Sequence, residues 1–166
     1  MTDLGFGTRL TAAFQQYGHL CVGIDPHPFL LNEWGYEDTP RSLSEFSLRI
    51  VDACAGRVGI IKPQVAFYER HGSAGYVALE KLMDRARQAG LLVIADAKRG
   101  DIGSTMQAYA QSWLSAGVPL EADALTVSPY LGSGALAETV DIALANNKGL
   151  FVLAATSNPE AAELQT

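Results

Sequence analysis

Short apolar runs alternate with longer amphipathic stretches along this chain, and that alternation most constrains its fold. The runs cover residues 20–25 (LCVGID), 59–62 (GIIK), 91–97 (LLVIADA), 122–128 (ADALTVS) and 149–155 (GLFVLAA). Near-continuous apolar runs of this length read as strands covered on both faces. Before the first run, Phe6, Leu10, Ala13, Phe14 and Tyr17 recur at helical spacing, and Gly18 ends the pattern. A helix is expected over 42–55, with Phe46, Ile50 and Ala53 on one side. Ser42 is its expected cap, with Glu45 as capping-box partner. Another is expected over 73–89, carrying Val77, Leu79, Leu82 and Met83, with Gly90 as C-cap. Further helices are expected over 105–116 and 133–146, and Asn158-Pro159-Glu160 opens a last one. Residues 27–40 hold prolines, Trp34 and Gly35 without periodicity, and a loop is expected there.

The order is therefore a helix, four βα units, a fifth strand and the start of a helix. This is an α/β pattern, and its parallel sheet is either doubly wound or closed as a (β/α)8 barrel. No fixed-period repeat or inner linker divides it, so 1–166 is read as a single domain. A (β/α)8 barrel takes ~250 residues and at least ~200. The 166 residues hold about five of eight units. The expectation is an open sheet or the front part of a longer protein.

Composition narrows the function. With 12 Lys+Arg against 18 Asp+Glu, the net charge is −6. That argues against a nucleic-acid binder, which needs clustered cations to neutralise phosphates. No apolar run is long enough for a membrane span, and no basic stretch followed by an apolar one marks a secretory signal. Cys21 and Cys54 lack metal-ligand spacing, and both are expected to be small buried apolar residues of a cytoplasmic protein.

Ionisable side chains gather where the strands end. Asp25 ends the first strand and Lys62 the second; Asp96-Ala97-Lys98-Arg99-Gly100-Asp101 leaves the third, and the fifth runs into Thr156 and Ser157. Parallel α/β folds build their sites at this edge of the sheet. Asp96 and Lys98 are two apart, so on a strand they share a face, above Leu92 and Ile94. An array of Lys62, Asp96, Lys98 and Asp101 with alternating charge follows. By spacing alone, a D-x-K pair serves as a structural ion pair as readily as a catalytic one. Charges at several strand ends shift the balance toward a site. Arg99 is expected on the opposite face, as a barrel-to-helix or interface contact. His19, His27 and His71 show no ligand spacing, and no metal site is expected. Gln64, Phe67, Tyr68 and Glu69 fit a pocket or dimer contact and plain packing equally, and Ser128 and Tyr130 fit pocket lining and a plain turn equally. Trp34 and Trp113 are expected to be packing anchors.

The string DAKRGDIGST (96–105) resembles the D-x-K-x-x-D signature of the orotidine 5′-monophosphate decarboxylase family. GIDPHP, LTVSPYLG and LFVLAATSNPEA are similar to it as well, and IKPQVAFYE resembles its longer bacterial branch. The resemblance runs through the whole chain, as the N-terminal three-fifths or so of a member. It implies a (β/α)8 TIM barrel that forms a homodimer through the C-terminal faces of its strands. It implies conversion of orotidine 5′-monophosphate to uridine 5′-monophosphate and carbon dioxide, the last step of de novo pyrimidine synthesis, without metal or organic cofactor. Under it, Lys98 is the general acid at pyrimidine carbon 6, and Asp96 lies beside the substrate carboxylate. Lys62 orients Asp96 and a ribose hydroxyl, and Asp25 binds the ribose. Asp101 and Thr105 reach across the dimer, and Ser157 binds the pyrimidine. The family's phosphate grip belongs to the seventh and eighth βα loops, beyond this chain. A 166-residue chain with two open sheet edges is therefore expected to be inactive or insoluble alone. Two other readings remain. One is a metal-assisted sugar-phosphate decarboxylase or synthase of the same superfamily, which would favour an acid where Lys62 stands. The other is a non-catalytic fragment acting only in folding or dimerisation.

Overall fold

Five parallel strands follow one another across one sheet in the order in which the chain makes them. They are β1 (Cys21–Ile24), β2 (Ile60–Pro63), β3 (Leu92–Arg99), β4 (Ala124–Val127) and β5 (Gly149–Val152). The structure, a computed structural model, describes residues 4–165. Each strand pairs in parallel with its sequence neighbour. A doubly wound sheet reverses its order at a switch point. This sheet has no reversal, so the chain lays down consecutive βα units as a barrel does. Right-handed crossovers then keep the connecting helices on one side.

The helices are α1 (Phe6–Tyr17), α2 (Pro28–Glu33), α3 (Pro40–Cys54), α4 (Ala66–Glu69), α5 (Gly72–Gln88), α6 (Gly103–Leu114), α7 (Ala137–Ala145) and α8 (Ala162–Gln165). The strand side chains sort by the two-residue period. Ile61, Val93, Ala95, Leu125 and Val127 face the outer core with Leu79, Leu82, Met83, Met106 and Trp113. Ile60, Leu92, Ile94 and Ala124 face the other way.

That inner face is closed at the strand starts by α1, whose Phe6, Leu10, Ala13 and Phe14 pack on it. Arg9 fixes the helix there, pairing with Asp123 and donating to the Asn147 carbonyl at 2.9 Å. Gly149 is required by the close approach, since a Cβ there would lie 2.3 Å from the Phe6 ring. The apolar half of the inner face is thus covered, and its polar half lies toward the strand ends.

Several expectations are corrected. Residues 27–40 are not all loop, because Pro28 begins α2, with its fixed φ suited to a first helical turn. Thr39, not Ser42, caps α3: its hydroxyl accepts the Ser42 N–H at 3.2 Å. Glu45 pairs with Arg41 at 2.8 Å instead of closing a capping box. The helix expected over 133–146 opens with a 3₁₀ turn, Ser133–Leu136. The fifth strand ends at Val152, short of the expected 155. Cys54 is buried as expected, but Cys21 is exposed because β1 lies at the edge of the sheet. Trp113 is buried as an anchor, whereas Trp34 is half-exposed against the Phe46 ring. At the other edge, Phe151 and Val152 of β5 and Val140 and Leu144 of α7 are exposed. Among the described residues, no helix is long and apolar enough to cross a membrane.

Candidate active site

The alternation that places Ile60 on the inner face also places Lys62 there, at the end of β2. On β3 the same period takes Leu92 and Ile94 to Asp96. The two ends meet: Lys62 Nζ lies 3.0 Å from Asp96 Oδ2. The Gln64 side chain, just past β2, donates to the same oxygen at 3.0 Å.

β3 then departs from regular geometry. Ala95 pairs with Leu125 and Arg99 with Val127, so three residues of β3 oppose the single Thr126 of β4. Such a bulge re-aims the side chains it carries. Lys98, inside it, adopts φ 48°, in the left-handed region that side-chain-bearing residues enter at a cost. Thr126 Oγ1 accepts the Lys98 N–H at 2.9 Å and donates to Asp96 Oδ1 at 3.0 Å. The Lys98 ammonium returns to that oxygen at 2.6 Å. Gly100 follows, where a Cβ would lie 2.8 Å from the Ser128 carbonyl oxygen.

Each Asp96 oxygen therefore receives one ammonium and one neutral donor. The carboxylate is buried, its side chain 9% exposed, while Lys62 and Lys98 are 34% and 45% exposed. Burial works to raise the Asp96 pKa, but the bonds from Lys98 and Lys62 outweigh it and hold the carboxyl below its ordinary value. The anion is locked and the two cations face outward, so the cluster can bind an anionic group and hold a proton beside it.

Asp25 leaves β1 with Oδ1 buried and without a hydrogen-bond partner among the described residues. An acceptor so placed suits a hydroxyl of a bound molecule. Asp101 is not joined to Lys62, Asp96 and Lys98; it accepts the Ile102 N–H at 2.8 Å ahead of α6. Thr105 is exposed on the first turn of α6, and Ser157 is exposed beyond β5. The chain thus gathers three members of the expected four-charge array and leaves Asp101 on the neighbouring rim.

Arg99 turns outward, as its position opposite Lys98 foretold. It pairs with Glu69, and its guanidinium lies 5.3 Å from the Tyr109 ring centre and 5.9 Å from that of Trp113. His27 packs on the Phe67 ring at 4.2 Å, and His71 Nε2 lies 3.3 Å from Asp38. Among the described residues, no group of three or more His, Cys, Asp or Glu is placed to hold a metal ion. Sequence reasoning missed Thr126, although its place on the Ala124 face of β4 is the signal that could have found it.

Consecutive parallel βα units mark the opening part of a (β/α) barrel, and the lysine–carboxylate–lysine cluster lies at the carboxyl ends of the strands, where such barrels place their sites. Residues 18–166 match the model of the orotidine 5′-phosphate decarboxylase / HUMPS family, and the chain belongs to that family. It is 58% identical over 160 residues to an orotidine 5′-phosphate decarboxylase of Streptomyces coelicolor, covering 96% of this chain and 58% of the relative. It is 55% identical to the Corynebacterium efficiens enzyme of that name, covering 96% and 57%. A Streptomyces avermitilis crystal structure named for the same enzyme superposes with a TM-score of 0.97 at 54% identity, covering 99% of this chain and 58% of that one. The chain thus spans about 58% of the length of the curated relatives it matches, corresponding to about the first five βα units of the barrel.

Proposed function

We propose that this chain carries the acid–base centre of an orotidine 5′-monophosphate decarboxylase, releasing carbon dioxide to leave uridine 5′-monophosphate. The observation that carries the reading is the Lys62–Asp96–Lys98 cluster, in which a buried carboxylate holds two half-open ammoniums at 3.0 and 2.6 Å.

The chemistry follows from the charges. Loss of carbon dioxide from an orotate ring leaves a carbanion at carbon 6 with no adjacent carbonyl to delocalise it. A fixed ammonium aimed at that carbon stabilises the developing charge before solvent must reorganise. Lys98 fills this role and then delivers its proton. Asp96 keeps that ammonium charged, since a neighbouring anion favours the protonated form. The substrate carboxylate enters beside Asp96 and leaves as neutral gas, which relieves repulsion between the two anions. Lys62 orients Asp96 and reaches a ribose hydroxyl, and the unpartnered Asp25 oxygen accepts from the ribose. Ser157 binds the pyrimidine.

Asp101 stands apart from the cluster, and with Thr105 it lies on the rim at the start of α6. This arrangement supports a homodimer in which both reach the partner's substrate. Residues 1–166 act as one domain, in a cytoplasmic enzyme that uses no metal or organic cofactor.

The test is loss of orotidine 5′-monophosphate absorbance in EDTA, for the 166-residue chain alone and fused to the remaining C-terminal residues of the Streptomyces coelicolor relative. Turnover that persists in EDTA and disappears with Lys98→Ala is expected in at least the fused form. Turnover that requires added magnesium, or that survives Lys98→Ala, would overturn the reading.

A further inference from the structure

The Lys98 backbone is strained, and one side chain on the neighbouring strand answers for it. We propose that Thr126 is a positioning residue for the proton donor: its hydroxyl couples the bulged Lys98 backbone to the Asp96 carboxylate. The proposal rests on the decarboxylase reading for its catalytic consequence and on the geometry for its structural one.

Thr126 is the only residue of β4 opposite the three-residue bulge of β3. It is buried and stands above Ala124 on the inner face. Its hydroxyl has one proton and two lone pairs. The proton goes to Asp96 Oδ1 at 3.0 Å, closer than the Ala95 carbonyl at 3.4 Å. A lone pair takes the Lys98 N–H at 2.9 Å. One oxygen therefore fixes the main chain at φ 48° and also the carboxylate that the same lysine's ammonium must meet.

Lys98 makes both ends of this closed circuit. Its amide is held by Thr126, Thr126 holds Asp96, and Asp96 holds its Nζ. A flexible side chain is thereby confined without any direct contact from Thr126 to the reacting atoms. Thr126 is thus not a catalytic residue. Without its hydroxyl, the Lys98 N–H loses its acceptor and Asp96 Oδ1 loses its neutral donor, so the strained bulge has less to keep it in place. Misplacement of a reacting group by ~1 Å can lower a rate by ~10²-fold.

Thr126→Val keeps the branched shape and removes the hydroxyl; Thr126→Ser keeps the hydroxyl. Two readouts decide. The first is kcat and KM for orotidine 5′-monophosphate, in whichever form of the chain turns it over. The second is hydrogen exchange of the Lys98 amide in the 166-residue chain. Thr126→Val is expected to lower kcat by ~10- to 100-fold with KM within about 3-fold, and to speed Lys98 amide exchange at least ~10-fold. Thr126→Ser is expected to restore both. A merely structural role would raise exchange throughout β3 and β4 and leave kcat per folded molecule unchanged, and that pattern would overturn the proposal. So would an unchanged Lys98 amide in Thr126→Val. If no form of the unmodified chain turned over the substrate, the decarboxylase reading would fail, and the exchange measurement alone would decide whether Thr126 holds the bulge.

Discussion

Lys98 Nζ lies 2.6 Å from Oδ1 of Asp96, two residues earlier in β3, although the Lys98 backbone has left strand geometry. The pair forms across a bulge, and its other partners come from the two neighbouring strands, Lys62 from β2 and Thr126 from β4. The stability of this end of the sheet is therefore tied to one ionised carboxyl.

Asp96→Asn replaces an anion between two ammoniums with a neutral amide. The cost at pH 7 is expected to be about 1–3 kcal/mol, below the figure for a fully buried pair because both lysines reach solvent. The pH dependence has a definite sign. The folded-state pKa of Asp96 is lowered, so its stabilisation is present above the unfolded carboxyl's ordinary value and disappears as pH falls through the folded one. Urea unfolding at pH 7, 5 and 3 should show a wide gap between the unmodified chain and Asp96→Asn at the first two, narrowing at the third. A gap of constant width would defeat this account.

Outside the inner face, Arg99 is held by a different anion. Glu69 accepts from Arg99 and, at 2.7 Å, from the Tyr76 hydroxyl. Burial works to raise its pKa, but these two bonds outweigh it and keep Glu69 below its ordinary value. Glu69→Ala should cost about 2 kcal/mol by leaving a mostly buried guanidinium unpaired. Arg99→Lys keeps the charge but loses the planar group lying against Tyr109 and Trp113, so it should cost about 1 kcal/mol. Thermal melts of both variants provide the check, and an Arg99→Lys chain as stable as the unmodified one would show that charge alone matters there.

How much of this was legible depends on what kind of signal each residue carries. Lys62 and Asp96 were readable because a charge ending an apolar run breaks the pattern around it. The outward turn of Arg99 followed from the two-residue period, even though the bulge upset that period at Lys98. Thr126 was hidden for the opposite reason: in ALTV a threonine is ordinary strand filling, and its importance comes from a register that only the folded sheet defines. The Thr39 cap was obscured by Ser42, a plausible cap of its own, and α2 by prolines that read as loop. Asp101 was misplaced because the two-residue period that joins Asp96 to Lys98 does not continue past the bulge: its carboxylate turns to the Ile102 N–H ahead of α6.

A buried pair behind the site allows a sharper energetic test. The Tyr68 hydroxyl and Ser47 Oγ are 2.7 Å apart, and Ser47 donates its one proton to the Leu43 carbonyl, also at 2.7 Å. Tyr68 must then be the donor to Ser47. Tyr68→Phe leaves Ser47 with its carbonyl and should cost about 1 kcal/mol. Ser47→Ala strands a phenol hydroxyl in the core and should cost more, about 1–3 kcal/mol. Equal costs in chemical denaturation would contradict the expectation that Ser47→Ala leaves a buried hydroxyl without a partner while Tyr68→Phe does not.

Gly100 sets how closely the exit of β3 approaches β4. The Ser128 N–H donates to the Arg99 carbonyl at 2.7 Å, which brings the two chains together one residue before Gly100. A Cβ at 100 would meet the Ser128 carbonyl oxygen at 2.8 Å and the Ser128 Cβ at 3.1 Å. The first obstacle is backbone, so no rotamer change removes it. Gly100→Ala should therefore push the β3 exit away from β4, destabilise the chain by about 1–3 kcal/mol as overpacking does, and move Lys98 with it. Adding Ser128→Gly removes the Cβ contact but leaves the carbonyl, so it should recover only part of the loss. Full recovery in the double variant would place the conflict in the side chain, and a Gly100→Ala chain within about 0.5 kcal/mol of the unmodified one, the range of an inert surface change, would mean that the two strands are free to separate here without disturbing the lysine.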